Sequence, residues 1–151
     1  MIVDKELELY FGSGVLLIMI ITSIGDLRRK EVFLWEILGC LGMSFASVAY
    51  GVFGGNFDAS NVLMSLMPGA FLVLLAFVSG KNIGYGDGLL LLCAGPALGS
   101  GVTVLGMVVA VFACGFISGL LLIFKRVGKN ARIPFVPFLT FGMGVMMLAQ
   151  I

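Results

Sequence analysis

Asp26 and Asp87 are the two side chains in this sequence best placed to do chemistry. Each is an acid at the edge of a long uncharged run. Asp26 follows directly on Gly25, and Asp87 sits inside Gly84-Tyr85-Gly86-Asp87-Gly88. An ionisable group at the edge of an apolar bundle is costly unless it is paired or wetted, which makes it a functional candidate by default. Two such carboxyls that approach each other do not both ionise easily, so one keeps a proton while the other carries the charge. That state suits peptide hydrolysis. The charged carboxylate takes a proton from a water, the protonated one donates to the carbonyl oxygen, and the roles reverse as the amine leaves. The titration then belongs to the pair and not to either member.

The other acids are read as structural or solvated. Asp4, Glu6 and Glu8 form a charged tail, Asp58 lies in a polar outer loop, and Glu31 is the counter-ion of Arg28, Arg29 and Lys30. Glu36 is a snorkelling or structural acid just inside the second apolar run. The sequence has no histidine and no C-x-x-C pair, which argues against a zinc or other transition-metal centre. Cys40, Cys93 and Cys114 lie inside apolar runs and read as small buried hydrophobes. No cofactor is expected. A net charge of +1, without a basic patch, gives no indication of nucleic acid.

Two readings of Asp87 stay open on this basis. Gly84, Gly86 and Gly88 allow a close backbone approach, so an extended substrate can run beside the segment as an added strand. Alternatively Asp87 is simply the cap of the helix it opens.

The elements that must hold these residues are membrane spans. Sixty per cent of the 151 residues are hydrophobic, 11% are charged, and mean hydropathy is +1.17. That is far outside the range of a soluble domain. The 22 glycines suit close helix packing in lipid. The first apolar run follows a mixed-charge stretch and has no cleavage-site pattern, so it reads as a permanent span and not a secretory signal. Runs of the required length predict helices over 10–25, 33–53, 62–79, 87–98, 102–124 and 133–151, with the Gly-Pro-Ala-Leu-Gly-Ser-Gly stretch dividing the fourth from the fifth. The fold class is all-α, a polytopic bundle of six transmembrane helices. Every Lys and Arg except Lys5 falls in the loops after spans one, three and five. The positive-inside rule places those loops in the cytoplasm and both termini outside. A five-span division would put the basic residues between Lys125 and Arg132 on the wrong side.

Three stretches then fall in order at the cytoplasmic ends of spans one, four and six: Asp26-Leu27-Arg28-Arg29-Lys30-Glu31-Val32, Gly84-Tyr85-Gly86-Asp87, and Ile133-Pro134-Phe135-Val136-Pro137-Phe138. Together they resemble the type IV prepilin peptidase family, membrane aspartyl proteases of bacteria. Archaeal preflagellin peptidases and the presenilins share the Gly-x-Gly-Asp signature more distantly. The resemblance implies one transmembrane peptidase domain over residues 1–151, with Asp26 and Asp87 catalytic and with Gly84, Tyr85, Gly86, Gly88, Pro134 and Pro137 positioning the substrate. It implies pilin-like precursors as partners, their leaders cut after a Gly at the cytoplasmic face of a bacterial inner membrane, with membrane lipid as surroundings and no metal. It also implies the short, protease-only form, without the methyltransferase region. The chain departs from the family pattern at two places. Val32-Phe33-Leu34 stands where Ile-Pro-Asn is usual, and Gly88-Leu89 stands where an apolar residue and a Lys are usual.

Two other functions compete with this expectation. A small transporter or channel would use the same aspartates to bind a cation or relay protons. Against it, Ser13, Thr22, Ser44, Ser47, Ser65, Thr103 and Ser118 are scattered and read as helix–helix hydrogen bonds. A non-catalytic membrane scaffold would rest on the two departures.

Overall fold

Backbone polar groups in lipid must bond within their own segment, so apolar runs of this length become helices. The structure, a computed structural model, describes residues 2–29, 33–55, 57–78, 84–124 and 134–149, without the side chains of 2–8, 28, 29 and 122. Six helices occupy them: α1 Ile2–Arg29, α2 Leu34–Phe53, α3 Ala59–Val78, α4 Tyr85–Leu98, α5 Ser100–Ile123 and α6 Val136–Ala149. The chain is an all-α, multi-pass membrane bundle. Large apolar side chains cover its outside, with Phe53 92% and Trp35 83% exposed, a surface suited to lipid and not to water.

Four helices contain stretches long and apolar enough to cross a membrane: Leu9–Leu27, Leu34–Phe53, Ala59–Val78 and Ser100–Leu121. The helices α4 and α6 have 14 residues each. At 1.5 Å per residue each reaches about 21 Å, short of a hydrocarbon core of about 30 Å. The basic residues Lys30, Lys81, Lys125, Arg126, Lys129 and Arg132, and with them Glu31 and Ile133, lie outside the described residues.

The break expected in the uncharged run falls at Gly99. Its φ of 80° belongs to glycine, and its N–H donates to the Gly95 carbonyl at 3.0 Å, closing α4. Two other boundaries differ from expectation. The stretch containing Asp4, Glu6 and Glu8 is helical and not a loose tail. Glu, Lys and Leu are good helix formers, and acids near an N-terminus favour the dipole. Asp58 is the N-cap of α3, whose described start precedes the apolar run. Its Oδ1 accepts from the Ser60 N–H at 3.0 Å, the Ser60 hydroxyl at 2.6 Å and the Asn61 N–H at 3.4 Å. The Ser60 hydroxyl first, then these N–H groups, hold the Asp58 carboxyl below its ordinary value of 3.8. Its folded value is therefore depressed, so its contribution to stability is present above the ordinary value and fades as pH falls through the folded one. Asp58→Asn, which keeps an oxygen acceptor, is expected to remain folded while losing that acid dependence, read by thermal melting between neutral and strongly acidic pH.

The helix α4 is the hub, packed against α1, α2, α3 and α5. Most of it is buried (Gly88, Leu90, Leu91, Ala94 and Ala97 among others), with Tyr85 and Leu89 exposed near its start, which is why its sequence is apolar with no polar stripe. Glycine lets α3 and α4 meet backbone to backbone: a Cβ on Gly69 would lie 2.5 Å from Leu92 Cα, and one on Gly95 would overlap the Ser65 carbonyl. On the other side α6 packs on α5, with Gly142 against the Gly106 carbonyl. The core between them contains Val15, Met19, Cys40, Leu90, Leu91, Leu139 and Met143. Cys40 and Cys93 are buried, whereas Cys114 is half-buried. The span hydroxyls mostly turn back on their own helix: Ser13, Thr22 and Ser65 donate to carbonyls one turn earlier, at 2.8, 2.9 and 2.7 Å. That partner is always within reach in a helix. Ser44, donating to the Cys93 carbonyl, and Thr103, donating to the Gly95 carbonyl, do cross to α4.

Candidate functional site

Three helix ends meet where Asp26 lies. The last turn of α1 delivers Asp26, the first turn of α2 delivers Glu36, and α6 begins beside them at Val136. Asp26 is 4% exposed, although its charge type belongs in water. Its Oδ2 is buried and has no hydrogen-bond partner among the described residues. A buried carboxylate oxygen left so is costly in a purely structural role, and is a common mark of a site that exchanges partners.

Asp87 stands at the third position of α4, half-buried. Its carboxyl folds back over the helix start: a Cβ on Gly84 would be 3.1 Å from Asp87 Oδ2 and 3.3 Å from Oδ1. A side chain at position 84 would therefore crowd the acid. The helices α1 and α4 pack on each other, with Gly12 of α1 beside Ala97 of α4. The bundle thus places Asp26 and Asp87, which lie on different helices and far apart in sequence, at the same end.

Glu36 is the third acid of this end. One carboxylate oxygen, Oε2, accepts the Phe33 N–H at 3.0 Å, the return half of a capping box at the start of α2. The other, Oε1, lies 3.7 Å from where a Cβ on Gly25 would be. Its charge reaches Asp26. The structural role expected of Glu36 is present, and so is a proximity to Asp26 that its position in the sequence did not announce.

The remaining sequence candidates divide. Gly84 has extended backbone, φ −69° and ψ 121°, at the N-cap of α4, while Tyr85, Gly86 and Gly88 are already helical. Tyr85 is 43% exposed beside the site. Gly88 faces α3 instead, where a Cβ would lie 2.8 Å from the Val73 backbone nitrogen. Pro134 is half-buried just before α6, and Pro137 is inside its first turn. Among the described residues no group of three His, Cys, Asp or Glu side chains is arranged to hold a metal ion.

The opposite end of the bundle carries a polar cleft of about 90 Å³, lined by Ser47, Asp58, Asn61, Ser65, Pro96 and Gly99 among others. Asn61 Oδ1 accepts the Ser100 N–H at 2.9 Å there, tying the start of α3 to the start of α5. Compared with known proteins, the chain matches no protein-family model, no characterised protein and no solved structure.

Proposed function

We propose that this chain is an intramembrane aspartyl endopeptidase of the type IV prepilin peptidase kind, acting at one membrane face on pilin-like precursors. The observation that carries the reading is the placement of Asp26 and Asp87 at the same end of the bundle, with a buried, unpartnered oxygen on Asp26. Its support from the sequence is the ordered trio of stretches that contain Asp26, Asp87 and Pro134. In this reading all six helices cross or enter the bilayer and both termini are extracytoplasmic. The basic loops then mark the cytoplasmic face of a bacterial inner membrane.

The chemistry needs nothing beyond the two carboxyls and water. The charged carboxylate removes a proton from water as its oxygen bonds to the scissile carbonyl carbon. The protonated carboxyl gives its proton to the carbonyl oxygen, forming a tetrahedral diol. The proton taken from water then passes to the peptide nitrogen, a diol hydroxyl returns its proton to the carboxylate that had donated, and the C–N bond breaks to leave an acid and an amine. Glu36 adds a negative charge beside the pair, and Gly84 leaves room over Asp87.

The test is direct. The purified chain in lipid nanodiscs, mixed with a precursor made of a short leader joined to an apolar helix, is expected to release the leader, read by mass spectrometry. Intact precursor after prolonged incubation, with protein shown to be folded, would falsify the proposal.

A second reading has one observation in its favour. Along one face of α2, Glu36, Cys40, Ser44 and Ser47 run from the acid cluster towards the polar cleft, with Cys40 and Ser44 buried. An acid-dependent ion path would use that row. Aspartate-dependent cation or proton flux in proteoliposomes, without proteolysis, would select it.

A further inference from the structure

The polar cleft at the end away from Asp26 and Asp87 lies between the close of one span, Leu34–Phe53, and the start of the next, Ala59–Val78. That is the level at which lipid headgroups surround a bundle. Its volume of about 90 Å³ has room for a few waters or one small group, and is well short of the several hundred Å³ that larger ligands need.

The cleft holds more acceptors than its own donors use. All three hydrogen bonds to Asp58 fall on Oδ1, from the Ser60 hydroxyl and the N–H groups of Ser60 and Asn61. They keep the carboxyl charged at neutral pH, and Oδ2 has no partner among the described residues. The last carbonyls of a helix lack intrahelical partners. The N–H that would ordinarily reach the Pro96 carbonyl is that of Ser100, and it donates instead to Asn61 Oδ1 at 2.9 Å. The Pro96 carbonyl is thereby left over at the negative end of α4. The positive starts of α3 and α5 are close by, but each is already met by a side chain, Asp58 and Asn61 respectively. Ser47 adds a hydroxyl to the wall, and the Phe57 ring, 46% exposed, offers a face that suits a cation.

We propose that this cleft is a headgroup-level binding site for a primary ammonium group, with Asp58 as counter-ion and the Ser47 hydroxyl and Pro96 carbonyl as further acceptors. A primary ammonium carries three N–H donors on one small cation, which matches three acceptors around one negative charge. An aminophospholipid and a free amine both present this group. The site does not depend on the proteolytic reading.

Thermal melting in nanodiscs tests it. Phosphatidylethanolamine mixed into phosphatidylcholine discs leaves the net lipid charge unchanged and is expected to raise the melting temperature. Asp58→Asn keeps an oxygen for the α3 cap and removes the charge. The amount of amine needed for half of the rise is expected to increase about 10-fold in this variant. Methylammonium added to discs of phosphatidylcholine alone separates the sources. An Asp58-dependent rise with methylammonium assigns the site to free amines, and one with phosphatidylethanolamine only assigns it to the lipid; either upholds the site. Tetramethylammonium, which has no N–H, and potassium are expected to have no such effect. Should Asp58→Asn not fold, Ser47→Ala, which leaves the α3 cap whole, makes the same comparison with an expected loss of about 5-fold. No rise with either amine, an equal rise in the variant, or an equal rise with potassium overturns the proposal.

Discussion

Asp26→Asn and Asp87→Asn are each expected to lower precursor cleavage by about 10³-fold or more while the bundle stays folded, because in the proposed mechanism each removes a general acid–base group and little else. Asparagine has the shape of aspartate and keeps an oxygen that accepts from an N–H. It can still close α1 at position 26, and it can still sit over Gly84 at the start of α4. What it cannot do is exchange a proton with water and with a peptide oxygen. The capping role that the sequence leaves open for Asp87 is set aside by the structure, because Gly84 is the N-cap of α4 and Asp87 stands at its third position; the substitution tests the catalytic pair. The double variant is expected to be no slower than either single one, since residues that act as a unit do not contribute additively. Initial rates, with circular dichroism and thermal melting on the same samples, decide the matter. Normal cleavage by either single variant removes the dyad.

Gly95→Ala and Gly142→Ala are expected to cost about 3 kcal/mol each, the upper part of the range for overpacking a tight interface. A Cβ at 95 meets the Ser65 carbonyl, and one at 142 meets the Gly106 carbonyl. Both obstacles are backbone, so no side chain can swing aside and two helices must part. At position 95 the helix that moves is α4, which carries Asp87 and touches four others, so activity should fall with stability. Gly115→Ala and Gly119→Ala are the controls. A Cβ there meets nothing within 4 Å, so better helix propensity should stabilise by roughly 0.5–1 kcal/mol. Denaturation in mixed micelles compares all four. If Gly95→Ala proves as stable as the controls, the close approach of α3 and α4 is wrong.

Much of the scaffold was legible because lipid makes sequence and boundary nearly the same thing. Charges stop apolar runs, and the starts of α2 and α4 and the break at Gly99 fall close to where charge and glycine put them. The start of α1 was not legible by that rule, since a charged stretch can be helical outside the membrane, as the one containing Asp4 and Glu8 is. The start of α3 depended on Asp58 as a cap, a local hydrogen-bond pattern and not a hydropathy signal. The two aspartates could be singled out from type and position, but their proximity could not. It follows from α1 and α4 packing directly on each other, an arrangement that no run of hydrophobicity encodes.

The shortness of α4 and α6 has a consequence for the surroundings of the protein. Gly142 of α6 sits beside Gly106 and Ala110 of α5, and α5 then runs on to Ile123, past the level at which α6 begins. The bundle is therefore thinner at its centre than along its longest helices. A bilayer meeting such an object responds by local thinning, with headgroups and their water drawn inward towards the short elements. Asp87 lies in the first turn of α4, and Asp26, on α1, lies at the same end of the bundle. Hydrophobic mismatch then becomes a variable of the site, and acyl-chain length can govern how wet these carboxyls are without any contact between a lipid and either one.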